Sequence, residues 1–272
     1  MDAFLDGVLY TVSKSRFNQI RNIAAGFANM YVGHNIIQDD IFTVIENYAD
    51  SKEMPLEWIR IPVEDDDLCA CTFIRGGRIF VMLNSALPMS KQIFAAAHEL
   101  YHIRCYLEED DTELIRKGSI LDSYTIDTGT TEEEEMEANA FAGTLLAPLY
   151  DIDQQIRIFR INRANIGMDD ILTLMDIFAI PYKAMVLRLL EEEIVSTERA
   201  TELVNVPSEE VSKRQIITGK ARRWMLVTKG HEKLGSIMEN ITINEEEENL
   251  PQSRLKSDLA KLQKIKERYG IE

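Results

Sequence analysis

A mainly helical α+β fold with one small antiparallel sheet is what this sequence predicts, on three observations. Apolar residues recur at three- and four-residue steps over most of the chain. Between residues 57 and 84 that period gives way to short β-prone runs around a glycine pair. With 45% hydrophobic residues among 272, there is enough apolar material for a proper core.

The elements follow in chain order. In "KSRFNQIRNIAAGFANMY", residues 14 to 31, Phe17, Ile20, Ile23, Ala24 and Phe27 fall on one face of an amphipathic helix. A second helix is expected over residues 39 to 48. "WIRIPV", "LCACTFI" and "RIFVML" then read as strands, and Gly76 and Gly77 in "RGGR" can take the positive φ of a tight hairpin. An Ala-rich helix follows over residues 88 to 107, with Pro88 suited to its first turn. Residues 108 to 131 are polar and read as a long loop. Acids in "EEEEMEANAFAGTLLAP" open another helix, where the helix dipole favours them, and Pro148 ends it. Helices dominate from residue 152. "MDDILTLMDIFAIPYKAMVLRLLEEEI" has the outline of a helix-turn-helix about Ile180 and Pro181, and a last helix is expected over residues 254 to 269.

Charge and cysteine usage narrow the function classes. With 30 basic against 46 acidic residues the formal charge is −16, which repels phosphate backbones and disfavours nucleic-acid binding over most of the surface. Three cysteines, Cys69, Cys71 and Cys105, do not make a disulfide framework, and the first 30 residues lack a basic start followed by an apolar run. No stretch of about 18 uninterrupted apolar residues suggests a membrane span. The expectation is a cytoplasmic protein without a membrane segment.

Two of the four histidines stand four residues apart in "FAAAHELYHIRCY". Positions i and i+4 of a helix differ by about 40° in azimuth and about 6 Å in height, so His98 and His102 share a face and can share one ion. Glu99 lies about 100° round from His98, within reach of a water at that ion without holding it. Zinc hydrolysis divides its labour in this way: neutral imidazoles hold the metal, and a carboxylate takes a proton from the water. The alternative is two histidines hydrogen-bonded in the core of a helix that is apolar on nearly every other side.

A catalytic zinc needs a third protein ligand and one open position. Cys105, seven residues beyond His98, lies about 10 Å further along the axis and is too far away. That leaves the acids at 108 to 113 and the glutamates at 132 to 137. Glu137 is the candidate directed inward, on a stripe with Phe141 and Thr144, whereas the acids at 132 to 134 belong to an exposed first turn.

"HELYH", followed 34 residues after its end by "EANAFAGTLLAP" and preceded by "GGRIFVMLNSALPMSKQIFAAA", resembles the ImmA/IrrE family of zinc metallopeptidases over roughly residues 15 to 200. The resemblance implies a zincin-like core, one Zn2+ held by His98, His102 and Glu137, and Glu99 as general base. It also implies that strand 79 to 83 rims the cleft, where a substrate would add as an extended strand. Tyr101 stands where the family usually has glycine. Members cleave DNA-binding repressors in stress or mobile-element switches, so the implied substrate is a helix-turn-helix repressor. Many relatives carry a DNA-binding domain at the N-terminus, and this chain starts too near its catalytic part to hold one.

The expected organisation is a metallopeptidase domain over 1 to 150, a helix-turn-helix-like subdomain over 151 to 205, and an extension over 206 to 272. A rival reading is a non-catalytic regulator with a structural metal that binds DNA or a repressor through its C-terminal helices. Against DNA binding, "YKAMVLRLLEEEI" offers only Lys183 and Arg188 as cations and ends in acids. "KRQIITGKARRWMLVTK", residues 213 to 229, is the one basic stretch containing an aromatic. His34 and His231 lie outside the motifs and read as ordinary surface or core groups. Tyr101, Tyr106 and Tyr124 are the candidate oxyanion donors.

Overall fold

The computed structural model describes residues 7–33, 36–63, 68–109, 119–122, 132–227, 233–247 and 249–269. The acids at 64 to 67, most of the 108 to 131 loop with Tyr124, and both His34 and His231 lie outside the described residues. The fold is α+β and mainly helical.

A short helix α1 (Leu9–Val12) leads through Ser13, whose side chain caps the next helix by accepting from the Arg16 amide. Helix α2 (Lys14–Tyr31) buries Phe17, Ile20, Ala24 and Phe27. Helix α3 (Ile41–Ser51), entered through a 3-10 turn Gln38–Asp40, buries Ile41, Val44, Ile45 and Tyr48. The spacing of both sets is that of a single helical face.

Strands β1 (Leu56–Ile61), β2 (Leu68–Arg75), β3 (Arg78–Asn84), β4 (Ser119–Asp122) and β5 (Lys233–Leu234) form one sheet in the order β4-β2-β3-β1-β5. Strands β2 and β3 are the hairpin expected at "RGGR", with Gly76 and Gly77 at φ 59° and 72°. The sheet is mixed rather than antiparallel, because β1 runs parallel to β3 with Leu56 opposite Ile79. The hairpin sends β2 to one flank of β3, so β1 takes the other flank. Strand β3 is therefore central and hydrogen-bonded on both sides, and the expected addition of a substrate strand to residues 79 to 83 has no free edge to use.

Helix α4 (Met89–Glu109) lies on β2 and β3, and α5 (Glu133–Leu146) packs between α4 and α2. Ala95, Ala96 and Ala97 on α4 and Ala138 and Ala142 on α5 are fully buried, and side chains that small let the two helices approach closely.

Helix α6 (Leu149–Ile158) precedes the helix-turn-helix outline, which is realised as α7 (Met168–Phe178) and α8 (Tyr182–Glu191). Ala179 takes a left-handed φ of 56° between them. Helix α8 buries eight of its ten residues, which leaves no open face of the kind a recognition helix presents to a groove. Among them is Arg188, whose Nε donates to the Ala147 carbonyl at the end of α5 and whose Nη atoms reach Glu191 and Glu192, both at 2.6 Å. The same apolar cluster runs from Leu9 to Trp224.

Helices α9 (Thr197–Val204) and α10 (Ser208–Thr218) follow, then a 3-10 turn Arg222–Met225. The basic stretch is thus the end of α10 and this turn. It is tied to α7 by Arg214 on Asp169 and by the Trp224 indole N–H on the Asp176 carbonyl at 2.8 Å. Beyond β5 come α11 (Ile237–Glu246) and α12 (Gln252–Tyr269). No helix among the described residues is long and apolar enough to cross a membrane.

Candidate metal centre

His98, Glu99 and His102 are almost wholly enclosed where α4 meets α5. The two imidazole Nε2 atoms stand 3.2 Å apart. Glu135, in the first turn of α5, places Oε2 3.1 Å from His98 Nε2 and Oε1 3.5 Å from His102 Nε2. A tetrahedral site with metal–nitrogen bonds of ~2.0–2.1 Å sets its donors roughly 3.3 Å apart. Among the described residues, His98, His102 and Glu135 are the group whose donor atoms come together at such spacing.

The far sides of both rings are also occupied. His98 Nδ1 meets Asn139 Oδ1 at 2.9 Å and His102 Nδ1 meets Glu134 Oε1 at 3.0 Å. Each Nδ1–H can donate to an oxygen, so that whenever the rings are neutral in this tautomer, as a metal requires, each Nε2 lone pair faces Glu135. Glu135 and Asn139 are four residues apart on α5, so one face of one helix supplies both the carboxylate donor and the partner of a histidine. A divalent metal fits these residues.

The site's electrostatics are those of a cation site. Burial alone would raise the Glu135 carboxyl, but hydrogen bonding to His98 and the charge of both imidazoles bring it below its ordinary range. The His102 hydrogen bond lowers Glu134 in the same way. For His102, burial favours the neutral ring, but the Glu134 hydrogen bond and the charges of Glu99, Glu135 and Glu134 outweigh it and raise the pKa. Cys71 on β2 feels burial first and then the Glu99 charge, and its thiol is pushed up to about 11. That thiol is an inert neighbour of Glu99.

Glu137 is not part of this group. Its carboxylate is engaged instead by Arg16 of α2, which grips it through Nε and through Nη2 at 2.8 Å. The Tyr101 hydroxyl donates to the same carboxylate at 2.5 Å. Burial would raise Glu137, and these donors hold it below the usual carboxylate range instead. The inward direction expected for Glu137 is correct, but the cation that compensates it is a guanidinium supplied from 121 residues upstream. Tyr101, committed to Glu137, is not a free oxyanion donor. Cys105 is buried and stands apart from the donors, as its position along α4 requires.

Comparison with curated proteins gives no match. The family model Peptidase_M78, described as an IrrE N-terminal-like domain, matches residues 51–190, which is more than half of the chain. That span contains the sheet hairpin, the HELYH helix, Glu99, all three donors and both outer partners of the histidines. The chain is a member of the Peptidase_M78, IrrE N-terminal-like family, and its function is of the metallopeptidase type.

Proposed function

We propose that this protein is a zinc-dependent endopeptidase that cleaves a cytoplasmic DNA-binding repressor, as one step of a stress or mobile-element switch. The observation that carries the chemistry is the convergence of His98, His102 and Glu135, with Glu99 buried one residue from His98. Zinc, held by these three residues, supplies Lewis acidity toward the scissile carbonyl and makes water a better acid.

The chain's own groups do the rest. Asn139 and Glu134 fix the tautomers and ring orientations that present both Nε2 atoms. Glu99 accepts a proton from the attacking water and returns it to the leaving amine nitrogen. The Arg16–Glu137–Tyr101 clamp joins α2, α4 and α5, and so holds fixed the two helices that carry all of these groups.

The choice of a helix-turn-helix repressor as substrate rests on the family resemblance of the paired motifs. The rival, a metal-stabilised regulator that reads DNA through its C-terminal helices, would need an exposed recognition helix, and the burial of α8 weighs against it. The test is to load the protein with zinc and incubate it with the helix-turn-helix repressor encoded by a neighbouring reading frame. Discrete fragments from the wild type, and none from Glu99→Gln, are expected. Fragments from both would remove Glu99 from the chemistry, and fragments from neither would remove that repressor as the substrate.

A further inference from the structure

A second concave site lies away from the metal centre. Helix α2, the end of α5 and the first turn of α6 enclose a cavity of about 520 Å³. Thr144, in its wall, is nine residues past Glu135 on α5, about 13 Å along the axis, so the cavity is separate from the histidines and their donors.

The space exists because α2 is small here. Ala24, Ala28 and Val32 recur at four-residue steps along the wall, with Ala25 beside them. Ile37, Leu145 and Pro148 complete the apolar lining. A few hundred cubic ångströms with apolar walls and a small number of polar groups is the make-up of a small-molecule site.

The charged groups of the lining are already paired. Arg21 Nη1 stands 3.3 Å from Glu192 Oε2, and Glu192 Oε1 takes Arg188 Nη2 at 2.6 Å. Asp151, 4% exposed, is engaged as well. A charged ligand would find no free counter-charge, and burying it would be costly.

The uncharged hydrogen-bonding groups are open. Asn22 and Asn29 stand seven residues apart on α2, within about 20° of azimuth and about 10 Å along the axis. Neither carboxamide makes a hydrogen bond among the described residues. Thr144 is 5% exposed, and its hydroxyl has no partner. The Asp151 and Ile152 amides both reach the Pro148 carbonyl, which leaves the Leu149 and Tyr150 amides without an acceptor inside α6. Carboxamides and hydroxyls both donate and accept, so this set matches the C=O and N–H of an amide.

We infer that this cavity binds an uncharged amphipathic amide, a molecule with an apolar body and peptide-like C=O and N–H groups. The body lies against the α2 alanines and Leu145, and the amide groups meet Asn22 and Asn29 along the outer edge of α2.

The test is calorimetric titration of the full-length, zinc-loaded protein with acetyl-leucyl-leucinamide. Glu99→Gln is present throughout to prevent turnover of the probe. One saturable site is expected, with a dissociation constant on the order of 0.1 mM for a probe of this size. The same dipeptide with a free carboxylate, or with a free amine, should bind ~10-fold more weakly or worse, because its charge goes uncompensated. Ala25→Trp fills the cavity from an exposed position of α2 and should weaken binding by roughly 100-fold, with circular dichroism and zinc content unchanged. If that variant loses helix, Thr144→Val decides, since it removes the hydroxyl at constant volume and should cost roughly 3- to 10-fold in affinity. No saturation at about 5 mM probe, equal affinity for the charged forms, or wild-type affinity in the deciding variant would overturn the inference.

Discussion

Exchanging the fates of two glutamates is the sharpest consequence of the site's geometry. Glu137→Ala removes the carboxylate that accepts from Arg16 and Tyr101. The Tyr101 hydroxyl is then left in a position 3% exposed, at a cost of ~1–3 kcal/mol for an unpaired buried polar group. The Arg16 side chain is 39% exposed and can rehydrate, so losing its ion pair adds only ~1 kcal/mol. The sum, about 2–4 kcal/mol, should lower the urea midpoint of the metal-free protein by about 1 M at an m-value of roughly 3 kcal/mol/M. Zinc content by elemental analysis should stay at one per chain. Glu135→Ala should behave differently at the metal, with a loss of zinc affinity beyond the ~10- to 100-fold that an outer partner contributes. A Glu137→Ala protein that loses its zinc while Glu135→Ala keeps it would refute the assignment.

Other consequences are measurable on the same protein. Asn139→Ala should weaken zinc binding by ~10- to 100-fold in a chelator competition and leave the fold intact, because it frees the His98 tautomer without removing a donor. The pH dependence should change sign with the metal. In the metal-free protein the raised pKa of His102 contributes stability that is full below the ordinary value of 6.5 and is lost as pH rises through the higher folded value. Zinc requires neutral rings, so the rise in Tm that zinc confers should grow from pH 6 to pH 8, as read by differential scanning calorimetry. Gly143→Ala would set a Cβ 2.9 Å from Arg188 Cδ, and Arg188 is too enclosed and hydrogen-bonded to yield. Its unfolding free energy should fall by about 1–3 kcal/mol.

Much of this molecule is legible in its sequence, for local reasons. Helix α2 spans the residues its apolar period marks, the β2–β3 hairpin turns at the glycine pair, and His98 and His102 share a face because i and i+4 positions do. What the sequence hid depends on distant partners. The parallel pairing of β1 to β3 follows from which flank of β3 the hairpin leaves open, which no property of "WIRIPV" encodes. Strand β4 lies inside a stretch too polar to show a strand period.

The structure brings Glu135, rather than the expected Glu137, to the two histidines, and the reason is instructive. An inward carboxylate needs a cation, and for Glu137 in "EMEANAFA" the fold supplies Arg16. A usable signal was nevertheless present. Glu135 and Asn139 stand at i and i+4, so one face of the helix offers a metal donor and a carboxamide for a histidine. The last helix is marked in the sequence over residues 254 to 269 and is found as α12, whereas α11 lies in a run of asparagines and glutamates that hides its helical period.

Peptide hydrolysis itself is tested most directly by comparing zinc-loaded wild type with Glu99→Gln at equal zinc content. Both are incubated with the helix-turn-helix repressor proposed as substrate, and new N-termini are counted by mass spectrometry. Wild type should generate them, and Glu99→Gln should generate them ~10²- to 10⁴-fold more slowly, the loss expected for removing a general base. Equal rates from the two proteins would contradict the assignment of Glu99 and with it the hydrolytic mechanism.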